Sequence, residues 1–392
     1  MTTMTRTARP VETRLRPLYA TGFIHGFALW YSIEKLFMRS IGLNDYLITI
    51  ATLIYITFMM AANIPLGILA DRWSRKGVLN LATGALILAS LICGLSHGLA
   101  MYAGGLAVWG IFYAAYAGTY DSIIYDVVLE ETGSPDSFEK HYGRVQMYDS
   151  TAFILGALLS AGVAHYGSLR LEYFLTIPFT CCAFFTLRRF REPALHRQAR
   201  ESRLSGHLGQ IMRATLRPKV ALIIVAAVAN GLAMRLLFEF CQLWYLGLAL
   251  PAVLYGPSFA LLYGGAWSGG ALAGKLGEGR TVLTVAFGTL AVSLGLFVKA
   301  GLVVIVAQTA AIIGVTVLTI ALARYLHDAM PSGIRAGSSS VVSTIGYAVF
   351  IPAALGFGLT ARSHGIFEAS AFVAGALIVM CAAVSMIVVK RQ

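Results

Sequence analysis

The stretch Gly67-Ile-Leu-Ala-Asp71-Arg-Trp-Ser-Arg75-Lys-Gly77 decides how the chain folds. It joins two long apolar runs, 46–70 and 78–96, and it concentrates four charged side chains in a few residues. A membrane-spanning helix needs about 20 apolar residues, so each run is long enough to cross a bilayer. The stretch is therefore predicted to be a short polar loop between two spanning helices.

The composition of the whole chain supports a membrane protein. Of 392 residues, 58% are apolar and only 12% are charged, and the mean hydropathy is +0.74. A soluble domain carries about 25% charged residues. These values exclude a soluble enzyme, a disordered chain and a small disulfide scaffold. The net charge of +12 does not indicate nucleic acid, because the basic residues form short clusters between apolar runs.

The apolar runs are long and do not alternate as barrel strands do, which favours helices. The predicted fold is an all-α membrane protein with twelve spans in two pseudo-symmetric six-helix bundles. The spans are 17–38, 46–70, 78–96, 99–127, 146–166, 171–189, 220–247, 252–274, 281–299, 302–326, 337–359 and 367–389. The predicted domains are an N-terminal bundle (1–190), a basic linker (191–219) and a C-terminal bundle (220–392).

Lysine and arginine predict the orientation of the spans. With the N-terminus inside, the inner segments hold 24 of the 30 basic residues and the outer loops hold only four, which are Arg39, Arg170, Lys299 and Arg362. Cytoplasmic loops carry such an excess of basic residues. We therefore expect both termini in the cytoplasm and the protein in the plasma (inner) membrane. The stretch Arg188–Lys219, with a net charge of +7, is expected to lie along the inner leaflet.

The two halves share a weak internal similarity. Residues 25–34 read HGFALWYSIE, and residues 230–239 read NGLAMRLLFE. The shared acids in these segments are Glu34 and Glu239. Repeated six-helix halves are typical of transporters that expose a central site alternately to the two sides of a membrane.

The loop that begins at Gly67 resembles the signature between the second and third helices of the major facilitator superfamily. It departs from the usual pattern at Ser74, where glycine is common. The resemblance implies a close helix approach at Gly67 and a charge network of Asp71, Arg72, Arg75 and Asp126 that opens and closes with conformation. Asp126 ends the fourth span, and Arg144 precedes the fifth. The C-terminal half carries a weaker echo around Lys275 and Arg280, and in Asp328 with Arg335.

Two features that are common in exporters of this superfamily are missing from the sequence. The fourth span has no arginine, and the fifth has no proline. Both absences weaken the exporter interpretation. The resemblance still implies secondary active transport of a small organic solute, with proton-coupled efflux as our first expectation. A solute importer or uniporter of the same fold is the alternative.

Ionisable residues at membrane depth are costly and mark functional sites. We expect proton coupling at Glu34, Asp121, Asp149 and Glu239. Structural interpretations remain open beside this one: an interfacial role for Glu34, with its neighbour Lys35 extending outward, and a helix-end role for Asp149. Arg235 and Glu239 are spaced to share one helix face, which fits either a structural pair or a switch. Because Arg235 would hold Glu239 ionised, Glu34 is expected to load a proton more readily.

Aromatic side chains accompany these charges and predict a substrate cavity. Tyr113, Tyr116 and Tyr120 fall on one helix face, an arrangement that suits either packing or a solute bound through π faces. His25, alone on its helix, favours packing over a proton relay. The predicted cavity residues are Trp30, Tyr31, Tyr113, Tyr116, Tyr120, Arg235 and Gln242.

Two other classes of function compete with transport. A membrane-embedded enzyme would need a nucleophile with its base, or metal ligands, and the sequence has no HExxH, GxSxG or Walker A motif. A sensor or scaffold without transport would leave the intramembrane charges unexplained. We expect no enzymatic activity, no cofactor and no metal. The expected partners are a small-molecule substrate, protons and the lipid bilayer, without nucleic acid, and the protein is expected to be a monomer.

Overall fold

The computed structural model describes residues 4–134, 137–193, 217–273, 279–330 and 335–389. These residues form helices and connecting turns, without a strand among them, which confirms the all-α fold class. The helices of the first half are α1 (Met4–Gly26), α2 (Glu34–Ser40), α3 (Asp45–Arg72), α4 (Arg75–Leu95), α5 (Leu99–Thr132), α6 (Phe138–Tyr166) and α7 (Leu169–Arg189). The helices of the second half are α8 (Pro218–Gly247), α9 (Tyr255–Ala273), α10 (Arg280–Ser293), α11 (Gly301–Ala329), α12 (Arg335–Ser363) and α13 (Ile366–Val389).

Each of the twelve predicted spans overlaps a described helix or a pair of them. Among the described residues, nine helices are long and apolar enough to cross a membrane by themselves. The spans predicted at 17–38, 171–189 and 252–274 are not among these nine. Most of the helices extend beyond the predicted limits; α5, for example, continues to Thr132 and α6 begins at Phe138.

The first span is not one continuous helix, which the sequence did not indicate. The α-helix stops at Gly26, a 3₁₀ turn follows from Leu29 to Ile33, and α2 resumes at Glu34. A 3₁₀ segment inside a helix often marks a functional hinge. The corresponding segment of the second half, 230–239, lies within the uninterrupted helix α8. The weak sequence similarity therefore joins two segments of different backbone structure.

The described residues group into two compact units. The first unit takes its described residues from Met1–Leu43, Ile50–Arg200 and Ala252–Ala260. In it, α4 packs against α5 and α7, while α1 packs against α6 and α7. Close helix contact at α5 depends on small residues, since a Cβ atom at Gly105 would overlap the Cys93 sulfur on α4. Small residues at helix interfaces let backbones approach in membranes.

The second unit takes its described residues from Asn44–Thr49, Glu201–Pro251 and Leu261–Gln392. Helix α8 lies at its centre and packs against α11, α12 and α13, and α10 packs against α11 and α13. Helix α9 approaches α11 through two glycines four residues apart. A Cβ atom at Gly265 would lie 3.1 Å from the Thr309 carbonyl oxygen, and one at Gly269 would lie 2.7 Å from that of Ile313. This small-residue spacing permits close helix packing in membranes.

Candidate functional site

The loop between α3 and α4 is organised around the first turn of α4. Ser74 caps this helix, because its hydroxyl oxygen accepts a hydrogen bond from the Gly77 amide at 2.8 Å. The same hydroxyl donates to the Glu192 carboxylate at 2.7 Å. Glu192 also accepts a hydrogen bond from the Arg75 amide at 2.5 Å. A carboxylate thus satisfies amides that the helix leaves unpaired, at the positive end of its dipole.

The side chain of Arg75 extends this arrangement to α5. Its guanidinium pairs with the Asp126 carboxylate and donates to the Ser122 carbonyl at 2.8 Å. Ser74, Arg75, Asp126 and Glu192 are called the α4 network below. The network ties the start of α4 to α5 and to the chain just after α7, all within the first unit.

The other residues of the loop motif are placed differently from one another. The expected close helix approach at Gly67 is wrong for the described part of the chain, in which a Cβ atom there would meet nothing within 4 Å. Arg72 is exposed at the end of α3. The side chain of Asp71 lies outside the described residues, so its place in the network stays a prediction. The same holds for Lys275 and for the side chain of Arg335.

Two further groups of ion pairs tie the start of α1 to other helices of the first unit. Arg14 lies 2.6 Å from the Glu131 carboxylate and 3.0 Å from that of Glu130, both near the end of α5. Arg144 on α6 pairs with Glu12. The hydrogen bond and the positive charge of Arg144 hold the pKa of the Glu12 carboxyl below its usual range.

The break in the first span brings its backbone against Asp149. A Cβ atom at Gly26 would lie 2.7 Å from the Asp149 carbonyl oxygen and 2.8 Å from its side-chain oxygen Oδ1, so only glycine allows this approach. The Tyr116 hydroxyl donates to Asp149 at 3.2 Å. Neighbouring His25 is buried, bonds to Thr83 at 3.0 Å and lies edge-on to Phe112. These contacts are those of a packed histidine.

Glu34 and Lys35 form a buried ion pair at the start of α2. The Lys35 ammonium lies 2.7 Å from the Glu34 carboxylate, and the two side chains are 2% and 7% exposed. Lys35 also donates to Thr52 at 3.2 Å. The expectation that Lys35 extends outward is therefore wrong. Since an ammonium group faces Glu34 directly, the argument that Glu34 loads a proton more readily than Glu239 loses its basis.

Asp121 lies apart from this buried interior. It is exposed on α5, and its carboxylate makes a hydrogen bond with Tyr142 on α6. Tyr142 is also within electrostatic range of Asp149, so one tyrosine lies near both acids. Of the four acids predicted for proton coupling, Asp149 is the one at the helix break, and Glu239 lies in the second unit.

Most of the aromatic residues predicted for the cavity contribute to packing instead. Trp30 is fully buried, stacks on Tyr173 with ring centroids 5.0 Å apart and donates to Ser90. Tyr120 is 2% exposed and contacts Tyr116 at 4.5 Å between centroids. Tyr31 contacts the rings of Trp109 and Phe153. Tyr113 is exposed and lies edge-on to Tyr55, and Gln242 is buried in α8. The three tyrosines of α5 therefore do not line one open wall.

The second unit contains a cavity of about 440 Å³ between α8, α11 and α12. Two of its lining residues, Arg235 and Glu239, are charged, and they share one face of α8. The Arg235 guanidinium lies over the Tyr347 ring, 4.0 Å from its centroid. The remaining lining is mainly apolar, from Val228, Met234, Phe238 and Leu322 among others. A mainly apolar cavity with a few polar groups is typical of a small-molecule site.

Two acids that the sequence reading did not select occupy important places. Glu192 was grouped with the basic linker, although it caps α4. Glu172 follows the outer loop that contains Arg170, yet it is fully buried in the structure. The spacing of Glu172 and Thr176, one helical turn apart at the start of α7, was the available signal for an inward face.

These features are those of a polytopic helical membrane protein. The sequence profile of the Major Facilitator Superfamily matches residues 18–354. The chain therefore belongs to the Major Facilitator Superfamily, which confirms the family expected from the loop motif. No curated protein matches the sequence.

Solved transporter structures share this fold over nearly the whole chain. The nucleoside transporter NupG (D323A mutant) aligns with a TM-score of 0.74 and 13% identity, covering 95% of this chain and 98% of its own. A bacterial homolog of the human lysosomal transporter Spinster, in an inward-facing and unoccupied conformation, aligns with a TM-score of 0.69 and 15% identity. The alignment covers 98% of this chain and 95% of that one. A D-xylose-proton symporter aligns with a TM-score of 0.68 and 12% identity, and the alignment covers 94% of this chain and 96% of the symporter. At these identities the similarity concerns the fold alone.

Proposed function

We propose that the protein is a secondary active transporter that moves a small organic solute by alternating access and exchanges it for protons. The observation that carries this proposal is the cavity in the second unit with Arg235 and Glu239 on one wall. Its volume of about 440 Å³ suits a small molecule. The protein would act in the plasma membrane with both termini in the cytoplasm, in keeping with the distribution of basic residues.

The cavity lining indicates the chemistry of the solute. Arg235 offers hydrogen-bond donors and a positive charge, and Glu239 offers acceptors one helical turn away. The surrounding apolar side chains favour a molecule with an apolar body. We infer an amphipathic solute whose polar group competes for Arg235 or Glu239. A membrane charge pair that a solute can open would also serve as a switch.

Asp149 is the proposed proton carrier of the first unit. It lies where α1 is interrupted and accepts a hydrogen bond from Tyr116. An ionised carboxylate at membrane depth is costly unless it is paired or hydrated. A change in its charge would act close to the backbone at Gly26, because the space between them does not admit even a Cβ atom.

The α4 network is proposed to stabilise one conformational state. Arg75, Asp126 and Glu192 tie three segments of the first unit together. Interactions present in only one state shift the population toward that state. Loss of the Arg75–Asp126 pair would then alter transport rates without removing the solute site.

Import is the second candidate, and two observations favour it. A D-xylose-proton symporter shares the fold, and the fourth and fifth spans lack the arginine and proline that are common in exporters. The cavity and Asp149 fit either direction of solute movement. The test must therefore resolve the direction as well as the coupling.

The experiment is solute flux in sealed vesicles of both orientations under an imposed pH gradient, with a panel of labelled amphipathic amines, sugars, nucleosides and peptides. The proposal predicts ATP-independent accumulation of one solute class against its gradient, with opposite movement of protons. Arg235→Gln should weaken this flux strongly. Arg280→Gln, which changes an exposed arginine at the start of α10, is the matched control and should not. Gradient-driven flux in the same direction as protons would support import instead.

A further inference from the structure

Glu172 is a fully buried carboxyl that the proposed mechanism does not use. It lies in the first turn of α7 and has 0% exposure. Its oxygen Oε2 is 2.6 Å from the Ser160 hydroxyl on α6. Its other oxygen, Oε1, is buried without a hydrogen-bond partner among the described residues. An ionised carboxylate with one bare oxygen is strongly disfavoured in such a place.

A chain of hydroxyl groups leads from Glu172 to the break in the first span. The Ser160 hydroxyl is 2.8 Å from that of Ser32. Ser32 lies in the 3₁₀ turn, and its hydroxyl is 3.3 Å from the Leu29 carbonyl. Both serines are buried, with 0% and 1% exposure. The chain therefore has three links and ends on a backbone carbonyl of the interrupted segment.

Counting hydrogen atoms decides the protonation state in which all three links exist. Each hydroxyl donates one hydrogen and the Leu29 carbonyl donates none, so two serines can fill only two links. The third hydrogen must come from the carboxyl group of Glu172. When Glu172 is protonated, Oε2 donates to Ser160, Ser160 donates to Ser32, and Ser32 donates to Leu29. When it is ionised, both serines turn toward the carboxylate and the Leu29 carbonyl loses the hydrogen bond from the Ser32 hydroxyl.

A second contact holds α7 against the same segment. The Leu29 amide donates to the Thr176 hydroxyl at 3.2 Å, and that hydroxyl donates to the Glu172 carbonyl at 2.8 Å. The amide of Leu29 is therefore held by α7 directly, and its carbonyl is connected to α7 through the two serines. The neighbouring Trp30 stacks on Tyr173. The position of the 3₁₀ turn is tied to α7 at several points.

The titratable groups around Glu172 do not include a cation paired with it among the described residues. The adjacent Tyr173 interacts with it, and Tyr173 in turn lies near Cys93 on α4 and Tyr102 on α5, all three uncharged at neutral pH. The nearby charges of α2 neutralise each other, since Glu34 is paired with Lys35. The guanidinium of Arg170 is engaged by the Gly94 carbonyl at 2.7 Å and by His97 at 3.0 Å.

We propose that Glu172 binds a proton and that two serine hydroxyls link this proton to the break in the first span. Release of the proton reverses the hydroxyl chain and removes the hydrogen bond on the Leu29 carbonyl. The 3₁₀ turn then loses the Ser32–Leu29 hydrogen bond within it, whereas the bond from the Leu29 amide to Thr176 on α7 remains. The role of this proton in transport rests on the function proposed above, whereas its presence on Glu172 does not.

Infrared spectroscopy of the purified full-length protein in lipid nanodiscs tests the site without a transport assay. A protonated carboxyl has a carbonyl stretching band that an ionised carboxylate lacks. Such a band should be present at pH 7 and disappear in Glu172→Gln, which keeps the shape of the side chain. Glu368→Gln changes an exposed acid at the start of α13 and should leave the spectrum in this region unchanged.

The serine variants test the hydroxyl chain. Ser160→Ala should shift the Glu172 band to higher wavenumber, because the carboxyl proton loses its acceptor. Ser32→Ala should shift it in the same direction by a smaller amount. A band unchanged in Glu172→Gln would overturn the proton site, and unshifted bands in the serine variants would overturn the chain. Flux without pH dependence would contradict the proposed function while leaving these spectra intact.

Discussion

The buried pair of Glu34 and Lys35 gives the most quantitative prediction. At 2.7 Å, two unit charges attract by about 6 kcal/mol at an effective dielectric constant of about 20. Much of this attraction offsets the cost of removing both charges from water. The structure therefore predicts a small net value for the intact pair and a large penalty for either partner alone.

Glu34→Gln removes one charge and leaves the Lys35 ammonium buried at 2% exposure. We expect a loss of about 3–5 kcal/mol in the free energy of unfolding. Lys35→Met should also destabilise the protein, because it leaves the Glu34 carboxylate buried without the Lys35 ammonium group. The double variant Glu34→Gln/Lys35→Met buries no charge and should recover to within roughly 1 kcal/mol of the parent.

Thermal unfolding in detergent micelles, followed by size-exclusion chromatography, measures these differences. A penalty of this size should lower the midpoint by roughly 6–20 °C for a unit of about 200 residues. Thr52→Val, which removes the 3.2 Å hydrogen bond to Lys35 and keeps both charges, should cost about 1 kcal/mol and serves as a scale. Single variants as stable as the parent, or a double variant as unstable as the two losses combined, would refute this account of the pair.

Four further predictions concern the helix break, the α4 network, the solute cavity and the topology. Gly26→Ala should reduce transport at least tenfold, because its Cβ atom would displace Asp149. Gly84→Ala should have little effect, since a Cβ atom there would meet none of the described residues within 4 Å. Flux through both variants checks this. Arg75→Ala and Asp126→Asn should each slow flux and should not be additive in the double variant, and additive losses would show that the two side chains act separately. Arg235→Gln should raise the solute KM far more than Glu12→Gln does, and equal effects in flux assays would remove Arg235 from the solute site. Cysteines at positions 39 and 362 should react with an impermeant reagent from outside and one at 196 only from inside, with the reverse labelling excluding the predicted topology.

The spans could be predicted from the sequence because long apolar runs have few alternatives. The loop at Gly67–Gly77 likewise carries its information locally, since Ser74 acts within its own turn. The partner of Arg75 could be predicted only through family resemblance. Nothing in the spacing alone joins position 75 to position 126.

The break in the first span could not be predicted, because its cause is tertiary. Gly26 lies in an apolar run that suits an ordinary helix, and its neighbour Asp149 is 123 positions away in the chain. The same limitation applies to Glu34. Sequence spacing suggested that Lys35 points outward, whereas packing encloses both side chains.

The missed acids show how local composition misleads. Glu172 lies two residues from Arg170 and at the start of the span predicted at 171–189, a position that resembles a loop boundary. Glu192 lies among arginines and was counted with the linker. Only the folded chain shows that Glu172 contacts the buried Ser160 and that Glu192 caps α4.

Proton movement driven by a solute gradient tests the central claim most directly. Coupling between two ligands is reciprocal, so a transported solute must move protons as surely as protons move the solute. In proteoliposomes with the membrane potential clamped, an outward solute gradient should acidify the lumen, as reported by an enclosed pH-sensitive dye. Asp149→Asn should abolish this signal, while Asp328→Asn, an exposed acid on α11, should preserve it. Solute flux through the parent protein without any change in lumenal pH would contradict the account.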